Sequence, residues 1–462
     1  MNDTARTSLL GRPHPRHRKE RRKAGRERRE EVPLEAHAAT PAPADRGDPI
    51  AIVTTQDAAR LAELVPIRHG RMSATAFTFY RGGAAIMAAD LAQGPSSDVT
   101  VQLCGDAHVS NFGLFNGPDR RLVFDLNDFD ETHPGPFEWD VKRLAASVAV
   151  AGRNNELSDG KIERAVLASV SGYRRAVAEF SRVGPMQAHY RRVEIDEVLA
   201  LVSGKRKNLE KATKKASGKN SLRALDKLTT IVDGRRVIVP DPPLITRIDD
   251  RLENELPLVV EFFDRYLTTL APYRWRLIDR YAIVDIARKV VGVGSVGTRC
   301  LIVLLESGNG EPLFIQLKEA TPSVLEAHLG ASEYEPGQRV VLGQRLMQTM
   351  GDILLGWSHF RGDDLTAYFY ARQLWDGKGS VAIENMGGRR LLRYAEICGA
   401  VLALAHARAG DASLITGYIG DDDTFDQAIA EFSHRYADLN EDDHRAHQSA
   451  IESGAIASER DI

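Results

Sequence analysis

The sequence predicts an α+β protein in which a small antiparallel sheet adjoins a mainly helical part. Three observations predict it. Apolar residues recur with helical spacing over 138–150, 161–181, 252–270 and 391–408. From Ala287 to Ala320 the pattern is strand, Gly-rich turn, strand, Gly-Asn-Gly hairpin turn and strand. The composition, 43% apolar and 27% charged over 462 residues, is that of a globular chain long enough for two or three packed units.

Residues 1–31 hold 11 Lys or Arg against 5 acids, and an Ala/Pro-rich run follows with no apolar face to fold on. This predicts a disordered basic arm over 1–47. No aromatic residue interleaves its charges, which favours a solubilising tail over a nucleic-acid contact. Order is expected from Ile50, with a helix and a Pro-marked turn. Short strands at 99–103 and 121–126 then bracket the densest polar cluster in the chain. Helical spacing continues through 191–201 and 252–270, giving a mainly helical lobe over 48–280. The basic stretch 204–219 inside it reads as a solvated helix face. The sheet lobe is expected over 281–380, with helices at 323–329 and 338–354 and a further strand pair around 366–374. Helices over 381–462 return to the first lobe.

Cys104, Cys300 and Cys398 lie too far apart for a disulfide framework or a cysteine-rich zinc site, and suit buried positions. The longest apolar runs, 144–151 and 397–406, fall short of the roughly 20 residues that span a bilayer, so no membrane association is expected. The start lacks the apolar core of a secretory signal. A cytoplasmic location is expected.

Two segments carry chemistry. In Leu103–Phe115, LCGDAHVSNFGLF, an Asp, a His and an Asn follow directly on a strand. Asp106 and Asn111, five residues apart, can share one side of a tight loop, the carboxylate addressing a substrate hydroxyl and the amide oxygen a hard metal ion. Asp125, Asp128 and Asp130 then crowd six residues with negative charge, for which magnesium is the natural offset. The second segment is Gly292-Val293-Gly294-Ser295-Val296-Gly297, with Lys318 in the third strand of the same small sheet. Because 298–303 continues as a strand, the glycines do not open the helix that a dinucleotide fold requires.

LCGDAHVSN resembles the H-G-D-x-H-x-x-N loop of the aminoglycoside phosphotransferase branch of the protein-kinase-like superfamily, with Cys104 in place of the first histidine. NDFDE resembles the metal-binding segment that follows that loop. The resemblance implies that Asp106 is the catalytic base, Asn111 a metal ligand and Asp128 the principal magnesium ligand, with Asp125 as the alternative. FEWDVKRLA is similar to the helix start of the same enzymes and implies that Asp140 braces the catalytic loop. FIQLKEA resembles the V-A-I-K strand of kinases. It implies that Lys318 and the glycines at 292, 294 and 297, with Ser295, hold the phosphates of ATP, and that Glu326 is the lysine's partner, with Glu319, Glu333 and Glu335 as competitors. Across nearly the whole ordered chain the sequence also resembles the bacterial domain-of-unknown-function 2252 family.

In ordinary kinases the Gly-rich loop and lysine precede the catalytic loop, whereas here they follow it by about 180 positions. A protein-kinase-like two-lobe fold in permuted order accommodates this. Tyr394–Ala407 then resembles the helix that leads into the catalytic loop, and 368–380 the hinge beside the adenine. The expected function is an ATP- and Mg2+-dependent phosphotransferase acting on a hydroxyl of an unidentified acceptor. The alternative is a nucleotide-binding regulator without turnover. Phosphoryl and nucleotidyl transfer fit the same residues.

Overall fold

The computed structural model describes residues 16–42, 45–193, 228–247, 252–290, 292, 294, 296–361, 366–374 and 379–459. The chain opens with α1 (Arg18–Glu31), followed by α2 (Pro49–Thr55), α3 (Val65–Ser73), α4 (Ala76–Gly82) and α5 (Ala84–Leu91). Four short strands come next: β1 (Thr100–Leu103), β2 (Phe112–Asn116), β3 (Leu122–Leu126) and β4 (His133–Pro136). They lead into α6 (Phe137–Asn154), α7 (Asp159–Phe180) and α8 (Pro185–Tyr190). Strands β5 (Thr229–Val232), β6 (Arg235–Ile238) and β7 (Ile245–Arg247) precede α9 (Leu252–Thr268) and α10 (Pro272–Ile278). The long strands β8 (Tyr281–Lys289), β9 (Cys300–Ser307) and β10 (Pro312–Ala320) run into α11 (Glu326–Leu329) and α12 (Pro336–Met347). After β11 (Gly356–Arg361), β12 (Thr366–Gln373) and β13 (Gly379–Ser380), the chain closes with α13 (Gly388–Ala409), α14 (Ala412–Ile419) and α15 (Thr424–Glu452).

Six strands form one antiparallel sheet in the order β11-β12-β10-β9-β8-β7. β10 is buried on both faces, so its side chains sort by the two-residue period of a strand. Leu313, Ile315 and Leu317 join Phe262 and Tyr266 of α9 in one core, while Phe314 packs on the opposite face with Ile238 and Ile302. Lys318 shares the parity of Phe314 and therefore points away from the α9 core. The helical part has its own core, in which α6, α7, α13 and α15 pack on one another around Leu144, Val148, Tyr173 and Leu402. Small sheets β13-β2-β3 and β1-β4 carry the polar loops along its edge.

Several expectations change. Residues 18–31 are not a mobile arm: α1 lies on α14, with room for close approach because a Cβ on Gly25 would come within 2.2 Å of the Leu414 carbonyl, and one on Gly417 within 2.2 Å of the Arg22 carbonyl. Arg21 and Arg22 pair with Asp411 and Asp421, so acids downstream absorb charge that the sequence suggested was free. The sheet does not begin at residue 281, since β7 is its edge strand and α9 covers one face. The helix expected over 338–354 stops at Met347, where Gln348 turns extended and Asp125 captures the Thr349 backbone N–H. The helix expected at 323–329 shrinks to the single turn α11, ended by Gly330 at φ 95°. The basic stretch 204–219 and Ser295 lie outside the described residues. All three cysteines are buried and free, as their spacing suggested. No helix among the described residues is long and apolar enough to cross a membrane.

Candidate active site

The loop after β1 is shaped by what lies beneath it. Gly105 adopts φ 83°, and a Cβ there would sit 2.1 Å from the Glu131 carbonyl, so only glycine fits the turn. Asp140, in the first turn of α6, accepts from the Cys104 N–H at 2.8 Å and the Gly105 N–H at 3.0 Å. This is the brace the sequence suggested. Asp140 is itself held by His406 Nε2 of α13 at 3.2 Å, and His406 Nδ1 meets the Tyr173 hydroxyl at 2.8 Å. Tyr394, also on α13, donates to the Val109 and Phe112 carbonyls. A helix almost 300 positions downstream thus backs the Asp106 loop directly.

Asp106 faces outward from this platform. Its Oδ1 accepts from Arg143 Nε at 2.8 Å, and the guanidinium stacks over the Tyr80 ring at 4.0 Å. Burial raises the Asp106 carboxyl above its usual range, and the Arg143 charge offsets only part of that rise. Asn111 donates from Nδ2 to the Asp106 carbonyl at 2.6 Å, which leaves its amide oxygen for another partner. The Asn111 carbonyl accepts from the Asn127 N–H at 2.9 Å and so stitches this loop to the acidic one.

The acidic loop joins β3 to β4. Asp130 binds the Lys318 amine and accepts from the Tyr370 hydroxyl at 2.8 Å. Asp128 lies 3.9 Å from the same amine and keeps about a third of its side chain exposed. Burial pushes the Asp130 carboxyl up, but the Lys318 charge outweighs it and holds the group below its ordinary value. Asp128 ends above its ordinary value, through burial and then the neighbouring Asp130. Burial works against the Lys318 ammonium, and the two carboxylates reverse that, holding it well above the usual lysine value. Arg339 of α12 fixes the loop's path by donating to the carbonyls of Asp130 and Thr132 at 2.8 and 2.6 Å.

Asp106, Asp128, Asp130 and Gly294 line a single cleft, as do Arg60 and Arg81. Of the glycines, Gly294 reaches this cleft. Gly292 is exposed and its carbonyl accepts from Arg71 at 2.7 Å, while the Gly297 carbonyl accepts from the Leu61 N–H at 2.8 Å. Two expected residues stand elsewhere. Asp125 is 3% exposed and spends its carboxylate on the Thr349 N–H and hydroxyl at 3.0 and 2.7 Å, so it is no alternative metal ligand. Glu326 accepts from the Ser323 and Ser332 N–H groups and faces Arg339 at 3.5 Å, not Lys318. Glu319 is likewise taken by Arg299. Sequence reasoning counted Asp130 among the crowded acids but gave it no role, and it missed Arg143, Tyr370 and Arg339. Asp130 sits two residues from Asp128 and was within reach; the others show no motif.

Fold and site together define an α+β protein whose six-stranded sheet delivers a buried lysine to an acidic cleft on a helical part. Residues 60–450 match the bacterial family described as "Uncharacterized protein conserved in bacteria (DUF2252)", and the chain belongs to that family. No curated protein and no solved structure matches the chain.

Proposed function

We propose that the protein is an ATP-dependent phosphotransferase acting on a hydroxyl, built as a kinase-like two-lobe fold in permuted order. One observation carries the reading: Lys318 reaches Asp128 and Asp130 across 190 and 188 positions of chain, and these two carboxylates line the cleft that Asp106 and Gly294 also line. Two unrelated domains have no reason to bring a strand lysine, a Gly-rich turn and an Asp/Asn loop together.

In this reading Asp106 takes the proton of the acceptor hydroxyl as its oxygen bonds to the terminal phosphorus and the bond to the leaving phosphate oxygen breaks. Arg143 and Asn111 hold Asp106 in place for that step. Lys318 exchanges part of its contact with Asp130 for phosphate oxygens. Magnesium fits the oxygens present, since Asp128 lacks a close hydrogen-bonded cation and the Asn111 amide oxygen is free of protein partners among the described residues. No group of three His, Cys, Asp or Glu converges among the described residues, which matches a cation that keeps water and phosphate ligands. When bound, magnesium would neutralise charge on the phosphates.

A regulator without turnover is the second reading, favoured by one feature: the Asp106–Arg143 ion pair, which lowers the basicity that burial raises. A thermal-shift titration with ATP, GTP and AMP, each with and without magnesium, tests nucleotide binding, because a ligand that binds only the folded state raises its melting temperature. The proposal expects a magnesium-dependent rise with a nucleoside triphosphate and none with AMP. No rise with any nucleotide removes both readings.

A further inference from the structure

Two arginines that line the cleft, Arg81 and Arg60, form no ion pair with a described acid. Arg81 ends α4 and makes no hydrogen bond or salt bridge with any described residue, although its Nε is sealed from solvent. Its nearest electrostatic partners are Glu384 and Asp106. Arg60 donates from Nη1 to the Val296 carbonyl at 2.5 Å, and its Nε too is buried without a partner. A largely buried guanidinium left without any hydrogen bond costs free energy that a fold ordinarily avoids, so Arg81, lining the cleft without a partner, points to a ligand that supplies acceptors.

The backbone between them suits the same ligand. Arg81 is followed by Gly82, Gly83 and Ala84, and α5 starts at Ala84 with no capping side chain on Gly83. The Gly-rich turn lies directly against this segment: a Cβ on Gly294 would sit 3.3 Å from the Arg81 carbonyl. Arg60, Arg81, Gly82 and Ala84 all line the same cleft as Asp106 and Asp128. The cleft thus holds the two guanidinium groups together with carboxylates, and the Arg81 guanidinium has no hydrogen-bonding partner among the described residues.

We propose that Arg81 and Arg60 form an oxyanion subsite that takes a phosphate group beside Asp106. Guanidinium forks match phosphate oxygens in geometry and charge, and Arg81 offers its fork with no prior commitment. Two sources carry this chemistry: an anionic group on the acceptor, or the terminal phosphate of the nucleotide. The subsite's existence does not depend on the phosphotransferase reading, whereas its use in transfer rests on it.

Calorimetric titration of the full-length protein with inorganic phosphate tests the subsite. Without nucleotide, wild-type protein is expected to bind phosphate, and Arg81→Met to bind it about tenfold or more weakly, as loss of one charge-assisted contact implies. Circular dichroism and melting of Arg81→Met are expected to match wild type, because Arg81 holds no other group. Repeating the titration with magnesium and either ADP or a non-hydrolysable ATP analogue separates the sources. Phosphate binding that survives both nucleotides assigns the subsite to the acceptor; binding that survives ADP and is lost with the ATP analogue assigns it to the nucleotide's terminal phosphate. No phosphate binding by nucleotide-free wild type, or equal binding by Arg81→Met, overturns the proposal. Failure of ADP to bind while phosphate still binds counts against the phosphotransferase reading and leaves the subsite standing.

Discussion

The proposed transfer uses Asp106 as a base, whereas the fold holds it as half of an ion pair with Arg143, and the balance between the two sets its pH behaviour. Burial raises its folded pKa, so the carboxylate takes up its proton at a higher pH than a free Asp, whose value is about 3.9. Transfer is therefore expected to fall on acidification along a single limb centred above that value, read from the pH profile of kcat. Asp106→Asn is expected to abolish transfer and leave nucleotide affinity within about twofold, since the group addresses the acceptor; retained turnover removes it from the role. Lys318 holds the acidic loop in addition to its proposed phosphate contact. Removing it as Lys318→Met strands Asp128 and Asp130 together, at an expected cost of about 2 kcal/mol, less than the ~3–5 kcal/mol of a sealed pair because both acids keep water contact. The sign with pH follows from Asp130. Its folded pKa is depressed in wild type, so its stabilising contribution is complete at neutral pH and fades as pH falls through that depressed value. Without Lys318 both acids gain from protonation. Urea unfolding should show the variant's deficit shrinking as pH falls from neutrality towards the ordinary carboxylate range, and Asp130→Asn in the same chain should recover part of it at neutral pH.

At the scale of elements, α6 and α13 carry the Asp106 loop, and α1 is a separate attachment. Gly25→Val is expected to lift α1 off α14, because its side chain meets the Leu414 carbonyl and cannot shift within a helix. Limited trypsin digestion should then cut within 18–31, where eight of the fourteen residues in RKERRKAGRERREE are Arg or Lys, and leave nucleotide binding intact. Cleavage no faster than wild type would mean that the ion pairs of Arg21 and Arg22 hold the helix without close packing.

At the scale of the whole molecule, the sequence was most legible where one segment does its own work. Period-3.6 spacing marks α6, α7 and α13 within a few residues, and short apolar runs either side of a Gly-Asn-Gly turn mark β9 and β10. The Asp106 loop and Lys318 were visible because their residue types and spacing carry chemistry. Partnership was not visible. Asp130 rather than Glu326 meets Lys318 because the fold brings the β3–β4 loop against the Lys318 side of β10, which is a tertiary fact with no local signal. Asp125 looked like a metal ligand beside Asp128, but the alternation of β3 turns it inward to Thr349. Edge strand β7 is only three residues long, too short for a periodic pattern, and α1 found its partner almost 400 positions away. The central claim is that segments around Asp128 and Lys318 build one nucleotide site. Calorimetric titration of ATP with magnesium into wild type, Asp128→Asn and Lys318→Met tests it most directly. The account predicts binding by wild type and at least about tenfold weaker binding by each variant, with both variants still folded. No binding by wild type, or undiminished binding by either folded variant, would contradict it.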